Sequence, residues 1–390
     1  AFPLQLSQAM RLCLLATLCC VSLCMCSVWS ANFTSPYPEP GSFFGQTVAA
    51  SGEWAIVQAQ KEPRSSDDST AVGAAFMYHQ DSLGQWVYDS RLPVPDAETK
   101  HIGYNMAIDG EWCAVAGHNT KDLCSYVYLF HLENGVWTLM DTLPSPGPQD
   151  SQGQAVAMGG GVLVIGYPDS HEYEGEAVVY RLFHGQYYLE ATLVGADYMF
   201  AADNGDSVAI SADGSRIAMG SLNAGQVNVF DYDHLTAEWT LTQTVAATCW
   251  DGVSLSLSGD GSTLAVGCPT YSAVEDTAGQ VEVFTEGQDG LTLSQSLDGG
   301  SVWYATFGYS LDMSSDGDTL VVGATLDDSV YVYTLAGGLY ILADWETTTD
   351  DSMLGHTVAL GGAGEDVALV GMANTSNARG KVGVLDLTLL

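Results

Sequence analysis

Gly308-Tyr309-Ser310-Leu311 leads through a short polar stretch to Asp316-Gly317 and then to Leu320-Val321-Val322-Gly323. The plan recurs twice more. Gly205-Asp206-Ser207-Val208-Ala209 runs to Asp213-Gly214 and Ile217-Ala218-Met219-Gly220. Gly252-Val253-Ser254-Leu255 runs to Asp260-Gly261 and Leu264-Ala265-Val266-Gly267. In all three the framing glycines stand 15 residues apart. Looser copies open at Gly45, Gly103, Gly153 and Gly355, so seven starts follow one another at spacings of 47 to 58 residues. A period of that size is the mark of a propeller blade or a large solenoid unit.

Each unit goes on to an alternating third piece, such as Gln226-Val227-Asn228-Val229-Phe230 or Ser329-Val330-Tyr331-Val332-Tyr333. Period-2 alternation rich in Val, Tyr and Phe reads as a strand. A fourth piece follows, as in Val136-Trp137-Thr138-Leu139 and Glu238-Trp239-Thr240-Leu241. The Asp-Gly pairs supply the positive-φ positions that tight hairpins need. No segment holds a helical period. The pattern predicts an all-β fold, a seven-bladed β-propeller of four-stranded antiparallel blades over residues 44–390.

Phe44-Gly45, Phe307-Gly308 and Val322-Gly323-Ala324, with the prolines of Val266-Gly267-Cys268-Pro269 and Ile165-Gly166-Tyr167-Pro168, resemble the FG-GAP repeats of integrin α-subunit N-terminal propellers. The resemblance covers roughly residues 44 to 387 and implies an extracellular adhesion module. One departure matters. Calcium-binding copies in that family carry an acidic D-x-D-x-D-G loop between the first two strands, whereas here the link has shrunk to turns such as Ser211-Ala212-Asp213-Gly214. One carboxylate per turn cannot fill a shell of six to eight oxygens. No metal site is carried over and no cofactor is expected. Asp67-Asp68 and Asp327-Asp328 remain as places for weak Ca²⁺ binding. Kelch and WD40 propellers rank below FG-GAP, because the G-H…W-D signature is missing and paired glycines such as Gly159-Gly160 have no regular place.

The 390 residues carry 47 acidic against 10 basic side chains, a net charge of -37. A field of that sign repels nucleic acid and anionic membrane surfaces, and excludes both as partners. Met10-Arg11 and the apolar run Leu12 to Trp29 read as a secretory signal over residues 1–31, cut near Ser30 or Ala31. The competing reading is an uncleaved N-terminal anchor. The expected setting is therefore secreted or cell-surface. Residues 32–43 form an N-terminal segment able to close the ring, since no fourth strand is evident before Leu390. Removing the leader leaves Cys113, Cys124, Cys249 and Cys268. In an exported chain they suggest two disulfides: Cys113 and Cys124 flank one link, and Cys249 and Cys268 lie near one face. Asn32 and Asn374 open candidate N-glycosylation triplets.

In a four-stranded meander the 4→1 and 2→3 links emerge on one face, here called upper, and the 1→2 and 3→4 links on the lower face. The 1→2 turns are short and uniform; the 2→3 links are long and varied. Varied loops on a rigid scaffold are where binding usually sits. The upper face gathers Tyr167, Asp169, His171 and Tyr173 from one loop, Trp250 and Asp251 from a second, Tyr271 from a third, and Trp303 and Tyr304 from a fourth. Rings beside carboxylates suit a sugar, a basic peptide or a cation. The bland alternative is rings packed between blades and solvated carboxylates.

Catalytic signatures are absent. Asn204-Gly205-Asp206-Ser207 is the repeat's own Gly-x-Ser slot, and His171-Glu172 lacks a second His at zinc-protease spacing. The expectation is a non-catalytic module binding an extracellular protein or glycan. The alternative is a polysaccharide hydrolase or lyase with carboxylates converging on an axial pocket, and a narrow apolar channel would remove it.

Overall fold

Three matching turns show how local chemistry begins each blade. Ser211 Oγ donates to Asp213 Oδ1 at 2.7 Å, Ser258 Oγ to Asp260 Oδ1 at 2.8 Å, and Ser314 Oγ to Asp316 Oδ1 at 2.6 Å. The same carboxylate oxygens accept the backbone N–H of Ser215, Ser262 and Asp318. Only the glycines, Gly214, Gly261 and Gly317, take positive φ, at 68°, 70° and 74°. The aspartates therefore serve as side-chain acceptors and not as left-handed residues, which corrects the expectation that both turn residues do the latter.

The computed structural model describes residues 29–37, 39–63, 72–93, 99–121, 124–145, 155–170, 174–196, 203–221, 224–248, 254–270, 278–299, 305–349, 351–388 and 390. Their strands form seven antiparallel sheets. Blade 1 holds Phe44–Ser51, Trp54–Ala59, Ala74–Gln80 and Trp86–Arg91. Blades 3 to 6 repeat that meander; blade 4, for example, holds Asn204–Ile210, Arg216–Ser221, Gln226–Asp233 and Glu238–Ala246. In blade 2 the first strand is interrupted, so that Thr99–Lys100 and Met106–Asp109 both pair with Trp112–Asn119. Helix among the described residues is confined to short turns, such as the 3₁₀ turn Thr325–Asp327 and the single turn Thr375–Ala378. No described helix is long and apolar enough to cross a membrane.

Blade 7 combines Leu354–Gly361, Val367–Met372 and Lys381–Asp386 with a strand from the other end of the chain, Trp29–Phe33. The ring is thus latched by pairing the start of the described chain with its end. The closing strand begins at Trp29, earlier than residue 32. A cut near Ser30 or Ala31 would fall inside it. Residues 1–28 lie outside the described residues.

The core explains the ring. Seven apolar clusters occur among the described residues, each straddling one blade boundary. Between blades 4 and 5, for instance, Ala218, Val227 and Val229 meet Leu264, Val266 and Phe284. Each such Val, Leu or Phe side chain contributes about 1.5–3 kcal/mol when fully buried, and no blade can bury both faces alone.

The framing glycines meet across those boundaries. A Cβ on Gly166 would collide with the carbonyl oxygen of Gly205 in the next blade. The pairs Gly267 with Gly308, Gly323 with Gly355 and Gly371 with Gly45 repeat the contact. The opening glycines Gly45, Gly103, Gly205, Gly308 and Gly355 hold φ between 80° and 89°, where an L side chain is strained. The sequence period is therefore a record of backbone-to-backbone packing between neighbouring blades.

Candidate functional site

The residue after each opening glycine is the variable one: Gln46, Tyr104, Gln154, Asp206, Val253, Tyr309 and His356. Those among the described residues stand at the upper end of the first strand of their blade, the strand nearest the axis. Gln154 and Val253 lie outside the described residues. Four of the rest converge. Gln46 Nε2 lies 2.5 Å from His356 Nε2, joining blades 1 and 7. Tyr309 of blade 6 stacks on His356, with centroids 5.0 Å apart and planes at 27°. Tyr104 of blade 2 lies close enough to add to the effect of burial in holding the Tyr309 phenol above its usual range. The gathering therefore spans blades 6, 7, 1 and 2.

Burial pushes the His356 imidazole down to about 4, so it is neutral at pH 7. A donating Gln46 amide makes His356 Nε2 the acceptor and places the imidazole proton on Nδ1. That nitrogen is buried with no partner among the described residues. Tyr104 and Tyr309 remain 48 % and 44 % exposed. The mouth thus offers two accessible aromatic faces beside an amide and a neutral imidazole. Such a surface stacks on and hydrogen-bonds an uncharged polar guest.

Asp206 occupies the same slot in blade 4. Burial, with the charges of Asp203 and Asp169, pushes its carboxyl up to about 6. Asp169 comes from the 2→3 link of blade 3, so the blade 3–4 boundary adds an acidic wall. No group of three or more His, Cys, Asp or Glu suited to a metal occurs among the described residues. Asp327 accepts from Ser329 Oγ at 3.0 Å within a local turn, and Asp328 accepts from Leu354 N at 3.1 Å, tying blade 6 to blade 7. Asp67-Asp68 lies outside the described residues.

Below the mouth runs an axial channel of about 370 Å³, walled by the first strands. Its lining is mostly Ala, Val, Leu, Ile and Met, with Asp109, Asp312 and Glu365 as its carboxylates. Each is engaged by the protein: Asp109 accepts from Gly161 N at 3.3 Å, Glu365 from Ser315 Oγ at 2.7 Å, and Asp312 from Leu360 N at 2.8 Å. A carboxylate pair poised for acid–base work is not among these contacts.

Of the nine ring and acidic residues expected at the upper face, the described region contains two. Asp169 does lie beside Asp203 and Asp206. Tyr167 does not face a ligand: it is 1 % exposed, on strand Val162–Tyr167, in the core between blades 2 and 3 with Trp112 and Leu143. His171, Tyr173, Trp250, Asp251, Tyr271, Trp303 and Tyr304 lie outside the described residues. Gln46, Tyr104, Asp206, Tyr309 and His356 were missed because the slot reads as filler between two invariant-looking positions. The signal was available: a variable residue at a fixed register must recur at one height around the axis.

Cys113 and Cys124 are thiols, not a disulfide. Cys113 pairs with Phe130 near one end of a hairpin, and Cys124 lies opposite Asn119 at the other. Six residues of strand separate those levels by about 20 Å, well beyond the roughly 4.4–6.8 Å a disulfide spans. Cys268 is disulfide-bonded, its partner lying outside the described residues, as does Cys249. Asn32 is exposed on the outermost strand of blade 7. Asn374 instead donates its amide to the Asp351 carbonyl at 2.9 Å.

No protein-family model matches the chain, and no curated protein matches it in sequence. Solved structures do. The β-propeller domain of Cps50 (Swd1) from Myceliophteria thermophila aligns with a TM-score of 0.60 at 11% identity, over 92% of this chain and 99% of that one. The periplasmic gluconolactonase PpgL of Pseudomonas aeruginosa aligns at 0.54 and 17% identity, over 77% and 85%. A putative 6-phosphogluconolactonase from Bacteroides fragilis aligns at 0.53 and 17% identity, over 78% and 84%.

The likeness is one of fold. These neighbours are neither FG-GAP nor integrin propellers, so the FG-GAP assignment is withdrawn. The physical reason lies in the glycine contacts above. The framing glycines answer to close packing between propeller blades and carry no family identity. Blade 4 even places Asn204 where Phe44 and Phe307 stand, tied to Asn228 Nδ2 at 3.2 Å.

Proposed function

We propose that the chain is a non-catalytic recognition propeller that binds a sugar unit of an extracellular glycan at its upper mouth. The observation that carries this reading is the convergence of Tyr104, Tyr309, His356 and Gln46, drawn from four blades. Exposed rings stack on the apolar face of a pyranose, and the Gln46 amide, oriented by His356, exchanges hydrogen bonds with its hydroxyls. An exported setting, with Asn32 as the accessible glycan acceptor, belongs to the same proposal. The test is a glycan panel screened against the purified chain and its Tyr309→Ala variant. Binding of at least one glycan, weakened tenfold or more by the substitution, is expected. An empty panel, or binding indifferent to Tyr309, would overturn it.

A second reading, hydrolysis of a sugar lactone, is favoured by the names of two structural neighbours and by the raised carboxyl of Asp206. It requires turnover of δ-gluconolactone that Asp206→Asn abolishes. Rates equal to the uncatalysed background would dismiss it.

A further inference from the structure

Asp206 reaches the mouth by the same construction as the four residues that converge there. In Gln46, Tyr104, Asp206, Tyr309 and His356 the backbone N–H donates to the carbonyl three residues back, at 3.0 to 3.3 Å. That earlier residue, Phe43, His101, Asp203, Thr306 or Met353, is left-handed every time, with φ between 49° and 58°. One turn, repeated five times, sets five side chains at one height around the axis. Blade 4 stands two blades from Tyr104 and two from Tyr309, opposite the seam where Gln46 meets His356. The tyrosines come from blades 2 and 6, on nearly opposite sides, and still influence one another. Side chains therefore span the opening, and a guest lying on the rings has Asp206 at its other edge.

Asp206 differs from the carboxylates below it. Asp109, Asp312 and Glu365 each accept hydrogen bonds from the protein. So do the turn residues Asp213, Asp260 and Asp316. No described group donates to the Asp206 carboxylate, and the charges that act on it, Asp203 and Asp169, have its own sign. The residue is half-buried. Like charges in a partly desolvated site disfavour one another, and a cation relieves them. A metal ion asks for several oxygens, and no trio of ligands suited to one occurs among the described residues.

The cation is therefore part of an organic guest, and the rings with the Gln46 amide suit a pyranose as its body. We infer that the mouth selects an amino sugar with a free ammonium, its ring face on Tyr309 and its charge on Asp206. The inference rests on the glycan reading above and narrows the class of sugar. It makes Asp206 the residue that decides between a free amine and its N-acetyl form, since acetylation removes the charge and leaves the ring.

The experiment is calorimetric titration of the chain at pH 6.5 with a chitosan trisaccharide, which carries free amines, with the N-acetylated chitin trisaccharide, and with trilysine. Asp206→Asn, Asp206→Gln and Tyr309→Ala are titrated alongside. Blades 1 and 3 already carry Gln in this slot, so the turn accepts an amide, as circular dichroism verifies. The expected result is at least a tenfold preference for the chitosan sugar over the chitin sugar and over trilysine. The preference over chitin should vanish in both Asp206 variants, and Tyr309→Ala should weaken binding of the chitosan sugar tenfold or more. Equal affinity for the two sugars, with Tyr309 still required, would overturn this inference and leave the glycan reading standing. No binding of the chitosan sugar would overturn it as well, and an empty glycan panel besides would overturn both. Trilysine bound as tightly as the amino sugar would overturn it in favour of a basic peptide. So would a preference undiminished in either Asp206 variant.

Discussion

Replacing Asp312 by Ala should change how stability depends on pH, in a direction opposite to the usual loss of a carboxylate. Burial pushes this carboxyl from its ordinary 3.8 up to about 6. A carboxyl with a raised folded-state value binds its proton more tightly when folded. Its contribution is therefore fully favourable below about pH 4 and is lost as pH rises to about 6. A shift of about two units corresponds to about 3 kcal/mol, a ceiling because water in the lumen screens the charge. The wild-type profile alone will not reveal it. His356, pushed down to about 4, contributes the opposite slope over nearly the same window, while Asp206 adds to that of Asp312. Subtraction isolates the effect. Urea unfolding followed by tryptophan fluorescence, at pH 4 and pH 7, should show Asp312→Ala gaining on wild type by up to about 3 kcal/mol between the two. Parallel profiles for the two proteins would refute the reasoning.

Three further outcomes are expected. Gly205→Ala, at φ 89° with Glu176 O only 2.5 Å from the new Cβ, should cost about 3 kcal/mol; Gly41→Ala, at φ 81° but in open space, should cost about 1 kcal/mol. Thermal melts of both variants check the contrast. Gly383→Ala should loosen the latch of blade 7, because its Cβ would strike the Trp29 ring; hydrogen exchange at Trp29–Phe33 should rise before exchange in blade 4. Cys113, buried and with its thiol pushed well above the usual range by burial, should resist Ellman's reagent until the chain unfolds, as a timed labelling reaction would report.

The fold was legible in the sequence because its strongest constraint is local and repeated. Close approach of successive blades requires glycine at both framing positions, and Gly166 against Gly205 is one instance of a contact made at least four times. Features resting on long-range pairing were less legible. The latch depends on Trp29 meeting Leu385, and nothing near Trp29 announces a strand. Each outer strand also carries a one-residue bulge, as between Val229 and Phe230 against Gln243 and Leu241, with no marker in the residues. Bulges of this kind increase strand twist.

The site was read from the wrong signal. Aromatic content drew attention to Tyr167, whose ring completes a core. The residues that meet at the mouth do so through register. Gln46 and His356 are 310 positions apart and touch only because both follow an opening glycine. The same register brings Asp206 to the mouth, two blades from each tyrosine. The glycine phrase recurs in form beyond any one family, so it located the blades without identifying relatives.

The claim on which the functional reading rests is tested most directly by a crystal structure of the chain grown with the best glycan from the panel. Sugar density should lie against the Tyr309 ring, within hydrogen-bonding distance of Gln46. Density confined to the outer strands or the lower face, with the mouth holding only water, would contradict it.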